Sequence, residues 1–125
     1  MLFDTDVIIW CLRGNPKAAT VIDQTDSLQL SAISYMELLK GARDKKDLHL
    51  IKDFIHDIRF SLLPISQNIS HRAIIYMEEY ALGSGLDLAD ALIGATSTEH
   101  NLHLCTGNYK HYKVIPHLKI TVFKP

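Results

Sequence analysis

The chain is poor in cysteine and in long apolar segments, and each shortage excludes a class of protein. Its two cysteines, Cys11 and Cys105, lie far apart and form no CxxC pair, which argues against a disulfide framework or a zinc cage and predicts reduced thiols. The longest apolar run, Val7 to Leu12, is far shorter than the roughly 20 residues that span a bilayer. No export signal is visible at the amino terminus. We therefore expect a cytoplasmic protein without a membrane anchor.

Net basic charge is also absent. The chain has 13 Lys and Arg against 14 Asp and Glu, a net charge of −1, which argues against a basic clamp for nucleic acid. The charge is nevertheless polarised, because residues 100–125 contain four lysines and four histidines but no acid, whereas residues 1–37 contain five acids. Any contact with nucleic acid is therefore expected to be local.

Segments of strand and helix character alternate along the 125 residues. Short apolar strands are predicted at 1–3, 28–33, 60–65, 102–106 and, as an edge strand, 120–123, with amphipathic helices between them. This alternation predicts an α/β fold with a mostly parallel sheet of four to five strands and helices on both faces. The length suits one core, so we expect a single domain over residues 1–125.

Several residues mark the predicted helix ends. Asp4 is placed as the N-cap of the first helix. Ser34 and Glu37 have capping-box spacing, which predicts a helix that starts at Ser34 with Glu37 in its first turn. A later helix from Ser66 is expected to break at residues 83–85. The next helix is expected to begin at position 87 or 88 and to carry Asp90.

Three carboxylates are predicted at the edge of the sheet where α/β folds bind their ligands. Asp4, Glu37 and Asp90 each lie near the carboxyl end of a predicted strand or in the first turn of the next helix, and these ends share one edge of a parallel sheet. Carboxylate oxygens suit Mg²⁺ or Mn²⁺, and without a cation such a cluster would drive its members towards protonation. Taken singly, each acid is more readily explained as a helix cap or as solvated surface than as a ligand, but the three together are harder to explain in that way.

Three neighbours are candidates for groups that surround the ion without binding it directly: Thr5, Asp6 and Asp87. Asp6 would point about 200° around a helix from Asp4, which makes it a weak candidate ligand. Asp87 lies three positions before Asp90, so it is either a helix cap or a group close to the ion.

These residues, together with a late segment, carry a family resemblance. The chain resembles a PIN-domain ribonuclease, specifically the VapC-type toxins of prokaryotic toxin–antitoxin pairs. The resemblance rests on the order and spacing of Asp4-Thr5, Ser31 to Leu38 with Gly41-Ala42, Asp90 to Ala95, and Thr106-Gly107-Asn108 with Tyr112.

The resemblance implies a metal-dependent endoribonuclease in which Asp4, Glu37 and Asp90 hold Mg²⁺ or Mn²⁺ and its activated water. It adds Thr106 as a group that positions a water or a phosphate oxygen, although the hydroxyl is as readily explained by a backbone contact at the strand end. Asn108 stands where many relatives have a fourth acid, so one ion is expected rather than two. A homodimer and a small antitoxin partner are also implied.

The segment after Asn108 is a candidate contact for RNA. Lys110, His111 and Lys113 can grip a phosphate backbone, and Tyr112 can stack on an unpaired base. Ordinary solvated surface explains the same residues equally well.

Two other functions compete with the nuclease. Asp4 and Asp6 after an apolar segment resemble the nucleophile motif of haloacid-dehalogenase-like phosphatases, but the lysine and the late acidic pair of that pattern are poorly matched. A non-catalytic PIN-like interaction module is the third possibility, and Asn108 is its best support.

Overall fold

The computed structural model describes every residue from 1 to 125, and strands and helices alternate as predicted. The five strands are β1 (Leu2–Phe3), β2 (Gln29–Ser31), β3 (Ser61–Leu63), β4 (Leu104–Thr106) and β5 (Ile120–Val122). The seven helices are α1 (Thr5–Leu12), α2 (Pro16–Asp23), α3 (Ala32–Lys40), α4 (Lys45–Asp57), α5 (Gln67–Ser84), α6 (Leu88–Glu99) and α7 (Tyr109–Tyr112). Each strand is shorter than the segment predicted for it.

The five strands form one parallel sheet in the order β3-β2-β1-β4-β5. Leu2 in β1 lies opposite Gln29 on one side and Leu104 on the other. The chain moves outwards from β1 to β3 and then returns to β4, so the strand order reverses beside β1. In open α/β sheets this reversal opens a crevice at the carboxyl ends of the strands. The predicted α/β class and the edge position of β5 are confirmed.

Helices cover both faces of the sheet because successive strand residues point to opposite sides. Leu2 and Leu104 are buried with residues of α5 and α6, whereas Phe3 and Cys105 are buried with residues of α1, α2 and α4. The ring of Phe3 meets the edge of Phe60 with a centroid distance of 5.8 Å. Two apolar cores therefore hold the central strands β1 and β4 in place beneath the crevice.

The predicted start of α3 was wrong. Ser31 is the N-cap rather than Ser34, and its Oγ accepts a hydrogen bond from the Ile33 N–H at 3.3 Å. Ser34 is fully buried, and Glu37 lies in the second turn instead of the first. The sheet decides this boundary, because β2 pairs with β3 only as far as Ser31, and the chain turns into the helix there.

The predicted break of α5 at residues 83–85 is confirmed. The helix continues through Gly83 and Ser84 and ends at Gly85, whose φ of +65° is left-handed. Glycine adopts that conformation without steric penalty, which makes it a common helix terminator. No helix is both long and apolar enough to cross a membrane.

Candidate active site

Asp4 lies at the centre of the crevice. It follows β1 directly and caps α1, and its Oδ1 accepts a hydrogen bond from the Thr5 N–H at 2.8 Å. Its Oδ2 accepts a hydrogen bond from the Thr106 hydroxyl at 2.7 Å. Only 4% of Asp4 is exposed. Burial raises the pKa of Asp4 above its ordinary value, and the donors Thr106 and Thr5 oppose that rise.

The Thr106 hydroxyl makes the predicted backbone contact at the strand end, whereas its positioning of a water or a phosphate oxygen remains a prediction. The hydroxyl donates to Asp4 and accepts a hydrogen bond from the Asn108 N–H at 3.0 Å. The residue is fully buried, so the hydroxyl has no water to replace either partner. Thr106 therefore joins the ends of β1 and β4 and fixes one oxygen of Asp4.

Asp90 approaches the same crevice from the first turn of α6. Its Oδ1 accepts a hydrogen bond from the Tyr112 hydroxyl at 3.1 Å, and its Oδ2 lies 3.3 Å from the His111 Nδ1. Burial and then repulsion from Asp4 raise the pKa of Asp90 to about 6. The two carboxylates are therefore close enough to disfavour each other's charge.

Asp6 belongs to this cluster, and the predicted 200° separation from Asp4 was wrong because Asp4 precedes the first helical residue. The Asp6 Oδ2 accepts a hydrogen bond from the Gly107 N–H at 2.9 Å. Its Oδ1 is buried without any partner. Burial and then the Asp4 charge raise the pKa of Asp6 to about 6.

Glu37 stands at the rim of the crevice. The Thr5 hydroxyl donates to its Oε1 at 2.7 Å, while the Thr5 N–H donates to Asp4. Glu37 is exposed, unlike Asp4. Thr5 therefore bridges Asp4 and Glu37, with its backbone N–H on one acid and its hydroxyl on the other.

One protein family matches the chain over most of its length. The PIN domain matches residues 1–115. The chain belongs to the PIN-domain family. The resemblance predicted from the sequence motifs is confirmed, and the fold of this PIN domain agrees with that of solved relatives.

Individual relatives match nearly end to end. Ribonuclease VapC19 of Mycobacterium tuberculosis is 28% identical over 123 residues, which cover 94% of this chain and 96% of that protein. A toxin–antitoxin complex from Klebsiella pneumoniae contains a chain that is 30% identical, with a TM-score of 0.80 and coverage of 97% of this chain and 95% of that chain. VapBC-1 from nontypeable Haemophilus influenzae, at 24% identity, has a TM-score of 0.82 and coverage of 97% and 96%.

Tyr112 does not lie where the sequence placed it. It was predicted on the surface as a platform for a base, yet it is fully buried in this PIN domain and its hydroxyl reaches Asp90. Burial and the adjacent carboxylates raise the pKa of Tyr112 far above its usual range, so the hydroxyl remains a donor. A usable signal was present in the apolar neighbours Val114 and Ile115, since a tyrosine among such residues is often buried with its hydroxyl paired.

The predicted RNA-contact residues of this segment are exposed, and so is Asn108. Asn108, Lys110, His111 and Lys113 all reach solvent, and only His111 touches an acid of the cluster. The Asn108 side chain does not cap α7. These positions are open to a ligand that lies across the crevice.

Asp87 occupies the N-cap position of α6, as predicted, but its side chain makes no capping hydrogen bond. It is exposed, and its charge contributes to the raised pKa of Asp90. Asp87 therefore affects Asp90 through charge repulsion and not through a hydrogen bond.

The carboxylates do not form a finished metal cage. No group of three or more His, Cys, Asp or Glu side chains is arranged to hold a metal ion. The donor set nevertheless suits a hard cation, because Asp4 and Asp90 present carboxylate oxygens, and the buried Asp6 Oδ1 beside them lacks a hydrogen-bond partner that a water on the cation could supply. Mg²⁺ retains several waters and needs one or two protein carboxylates, so the fit does not require a closed cage.

Proposed function

We propose that this chain is a metal-dependent endoribonuclease, the toxin component of a type II, VapBC-like toxin–antitoxin pair. The observation that carries the proposal is the crowding of carboxylates in the crevice. Asp4 is almost fully buried, and burial followed by repulsion from the Asp4 charge raises the pKa of both Asp6 and Asp90. A divalent cation would relieve that repulsion.

In this proposal Asp4, Glu37 and Asp90 hold Mg²⁺ or Mn²⁺. Such an ion lowers the pKa of bound water and offsets the charge that develops on a phosphate. Asp4 and Asp90 are the direct ligands because both lie in the crevice, and Glu37 acts from the rim as a ligand or as a base that orients water. Asn108 replaces a fourth acid, so the proposal is for one ion.

Hydrogen bonds within the chain orient the carboxylates of the proposed site. Thr106 holds Asp4, and the Thr5 hydroxyl holds Glu37. Asp6 and Asp87 act through their charge, without direct contact to the ion. The exposed residues Lys110, His111 and Lys113 would bind the phosphates of an RNA strand that enters over α7.

The proposal extends to partners and location. The Mycobacterium tuberculosis relative is called a ribonuclease, and the Klebsiella pneumoniae and Haemophilus influenzae relatives were solved as toxin–antitoxin complexes. We therefore include RNA as the substrate, a small cognate antitoxin, a homodimer, a cytoplasmic location and a nuclease domain that occupies residues 1–125. Co-expression with the product of a neighbouring short reading frame should yield a stable complex and abolish toxicity.

A fluorogenic RNA oligonucleotide tests the activity directly. Cleavage should require Mg²⁺ or Mn²⁺, cease in EDTA, and fall at least 100-fold in Asp4→Asn and Asp90→Asn, because these variants remove charge from the ligand set. Asp53→Asn is the matched control, since Asp53 is an exposed residue of α4 and its loss should leave cleavage unchanged.

A phosphate-ester substrate in the same assay separates the alternatives. Phosphate release without RNA cleavage would favour a phosphatase that uses Asp4 and Asp6. Absence of both activities in a folded protein would favour a non-catalytic interaction module. RNA cleavage that persists in EDTA would contradict the proposed metal dependence.

A further inference from the structure

The hydroxyl of Tyr112 has a role that packing does not require. The side chain is fully buried in the core formed with α5 and α6. It fits closely there, because a Cβ added at Gly94 would come within 4.0 Å of the Tyr112 ring and within 2.7 Å of Ile115. A phenylalanine would fill the same space. The hydroxyl therefore adds a specific contact, the 3.1 Å hydrogen bond to the Asp90 Oδ1.

That hydrogen bond restricts the rotation of the Asp90 carboxylate, which would otherwise make the side chain a poorly oriented ligand. The terminal torsion of an Asp side chain is broad and roughly two-fold, so a free carboxylate samples many orientations. Asp4 avoids this freedom because Thr5 and Thr106 each hold one of its oxygens. Asp90 lacks any backbone donor among its hydrogen bonds and depends on the side chains of Tyr112 and His111.

The two holders of Asp90 differ in strength. The His111 side chain is 60% exposed and lies 3.3 Å from Oδ2, so water competes for it. The Tyr112 hydroxyl is held by a buried ring on a helix that follows β4, and it cannot move away without disturbing the core. Tyr112 is thus the more rigid restraint.

We propose that Tyr112 is a positioning residue, which fixes the carboxylate of Asp90 through its hydroxyl so that the other oxygen is presented to the crevice beside Asp4. This inference rests on the proposed function, because the expected consequence of a fixed Asp90 carboxylate is tighter binding of a divalent cation. Residues that orient metal ligands in this way typically contribute 10- to 100-fold to metal affinity.

The test uses Mn²⁺ alone, titrated into the purified protein, with free Mn²⁺ measured by electron paramagnetic resonance. Tyr112→Phe should weaken Mn²⁺ binding about tenfold and should lower the Mn²⁺-induced rise in Tm. Tyr76→Phe is the matched control, since Tyr76 is 6% exposed and its hydroxyl bonds to Thr98, away from the crevice. That variant should bind Mn²⁺ like the parent protein.

The outcomes separate this inference from the proposed function. Equal Mn²⁺ affinity in Tyr112→Phe and the parent protein would overturn it, as would an equal loss in Tyr76→Phe. If the parent protein binds no Mn²⁺, the proposed metal dependence fails, and crystal structures of both proteins without metal decide the role of Tyr112. An Asp90 carboxylate that turns in Tyr112→Phe supports the inference, and one that stays in place overturns it.

Discussion

At the scale of single residues, the crevice leaves least room at Gly107. The N–H of Gly107 donates to Asp6, and the same Asp6 oxygen lies 2.7 Å from where a Cβ of residue 107 would stand. The Phe123 carbonyl oxygen is 3.3 Å from that position. A glycine is therefore needed for a close approach of α1 to the end of β4.

We expect Gly107→Ala to lower the free energy of unfolding by about 1–2 kcal/mol, because the added methyl group displaces Asp6 and breaks its hydrogen bond. Urea denaturation measures the change. Gly83→Ala is the control, since a Cβ there meets no atom within 4 Å and alanine favours a helix over glycine by roughly 0.5–1 kcal/mol. A Gly107→Ala protein as stable as its parent would contradict the close approach.

The raised pKa values of Asp6 and Asp90 predict how stability depends on pH in the metal-free protein. Both rise from 3.8 to about 6, so the folded state binds protons more tightly than the unfolded state between these values. The resulting stabilisation is complete below pH 3.8 and is lost as the pH rises through about 6. Urea denaturation in EDTA should therefore show stability falling across this window.

Two changes should reduce the loss of stability as the pH rises. Asp6→Asn removes one of the two groups whose pKa rises to about 6 and should make the slope of stability against pH shallower. Saturating Mn²⁺ should offset the carboxylate repulsion and raise stability most at the upper end of the window. A stability that increases steadily with pH in both the parent protein and Asp6→Asn would be incompatible with the raised pKa values.

At the scale of secondary structure elements, the site is built where strands end and helices begin. Asp4 caps α1 immediately after β1, and Thr106 is the last residue of β4. The order of the elements and the cap of α1 depend on neighbouring residues, so the sequence predicted that Asp4 would cap α1 at the end of β1. The start of α3 depended on where β2 stops pairing with β3, and a local capping pattern was a poor guide to it.

Thr106→Val should weaken the junction between these elements. Valine keeps the volume but leaves the Asp4 oxygen and the Asn108 N–H without their shared partner, which we expect to lower the free energy of unfolding by about 2 kcal/mol and RNA cleavage by at least tenfold. Thr106→Ser retains the hydroxyl and should preserve most of the cleavage. Chemical denaturation and the RNA assay measure the two effects, and equal behaviour of both variants would argue against a role for the hydroxyl.

At the scale of the whole molecule, charge is distributed unevenly around a net value of −1. The acids converge in the crevice from α1 and α6, while α7 and the residues after it supply exposed lysines and no acid. A polyanion would therefore be repelled by the acids of the crevice and attracted to its border. Under the proposed function, the cation and the basic border act together on one strand of RNA.

A double substitution, Lys110→Ala with Lys113→Ala, should weaken RNA binding several-fold in an Asp4→Asn background that prevents cleavage. The slope of log affinity against log salt should fall by about 0.7 for each phosphate of a single strand that the lysines no longer neutralise. Fluorescence anisotropy at several salt concentrations measures both. Lys45→Ala with Lys46→Ala on α4 is the charge-matched control, and an equal effect of the control pair would contradict a local interaction.

The sequence alone determined the class of fold, the order of its elements and the positions of Asp4 and Asp90 along it, because periodicity, turn residues and caps act over a few residues. Only the tertiary structure decided that Asp6 joins the cluster, that Glu37 lies at the rim and that Tyr112 turns inwards to Asp90. These placements depend on interactions such as that of Thr106 with Asp4, 102 positions apart. Such an interaction forms only once β1 and β4 have paired side by side in the sheet.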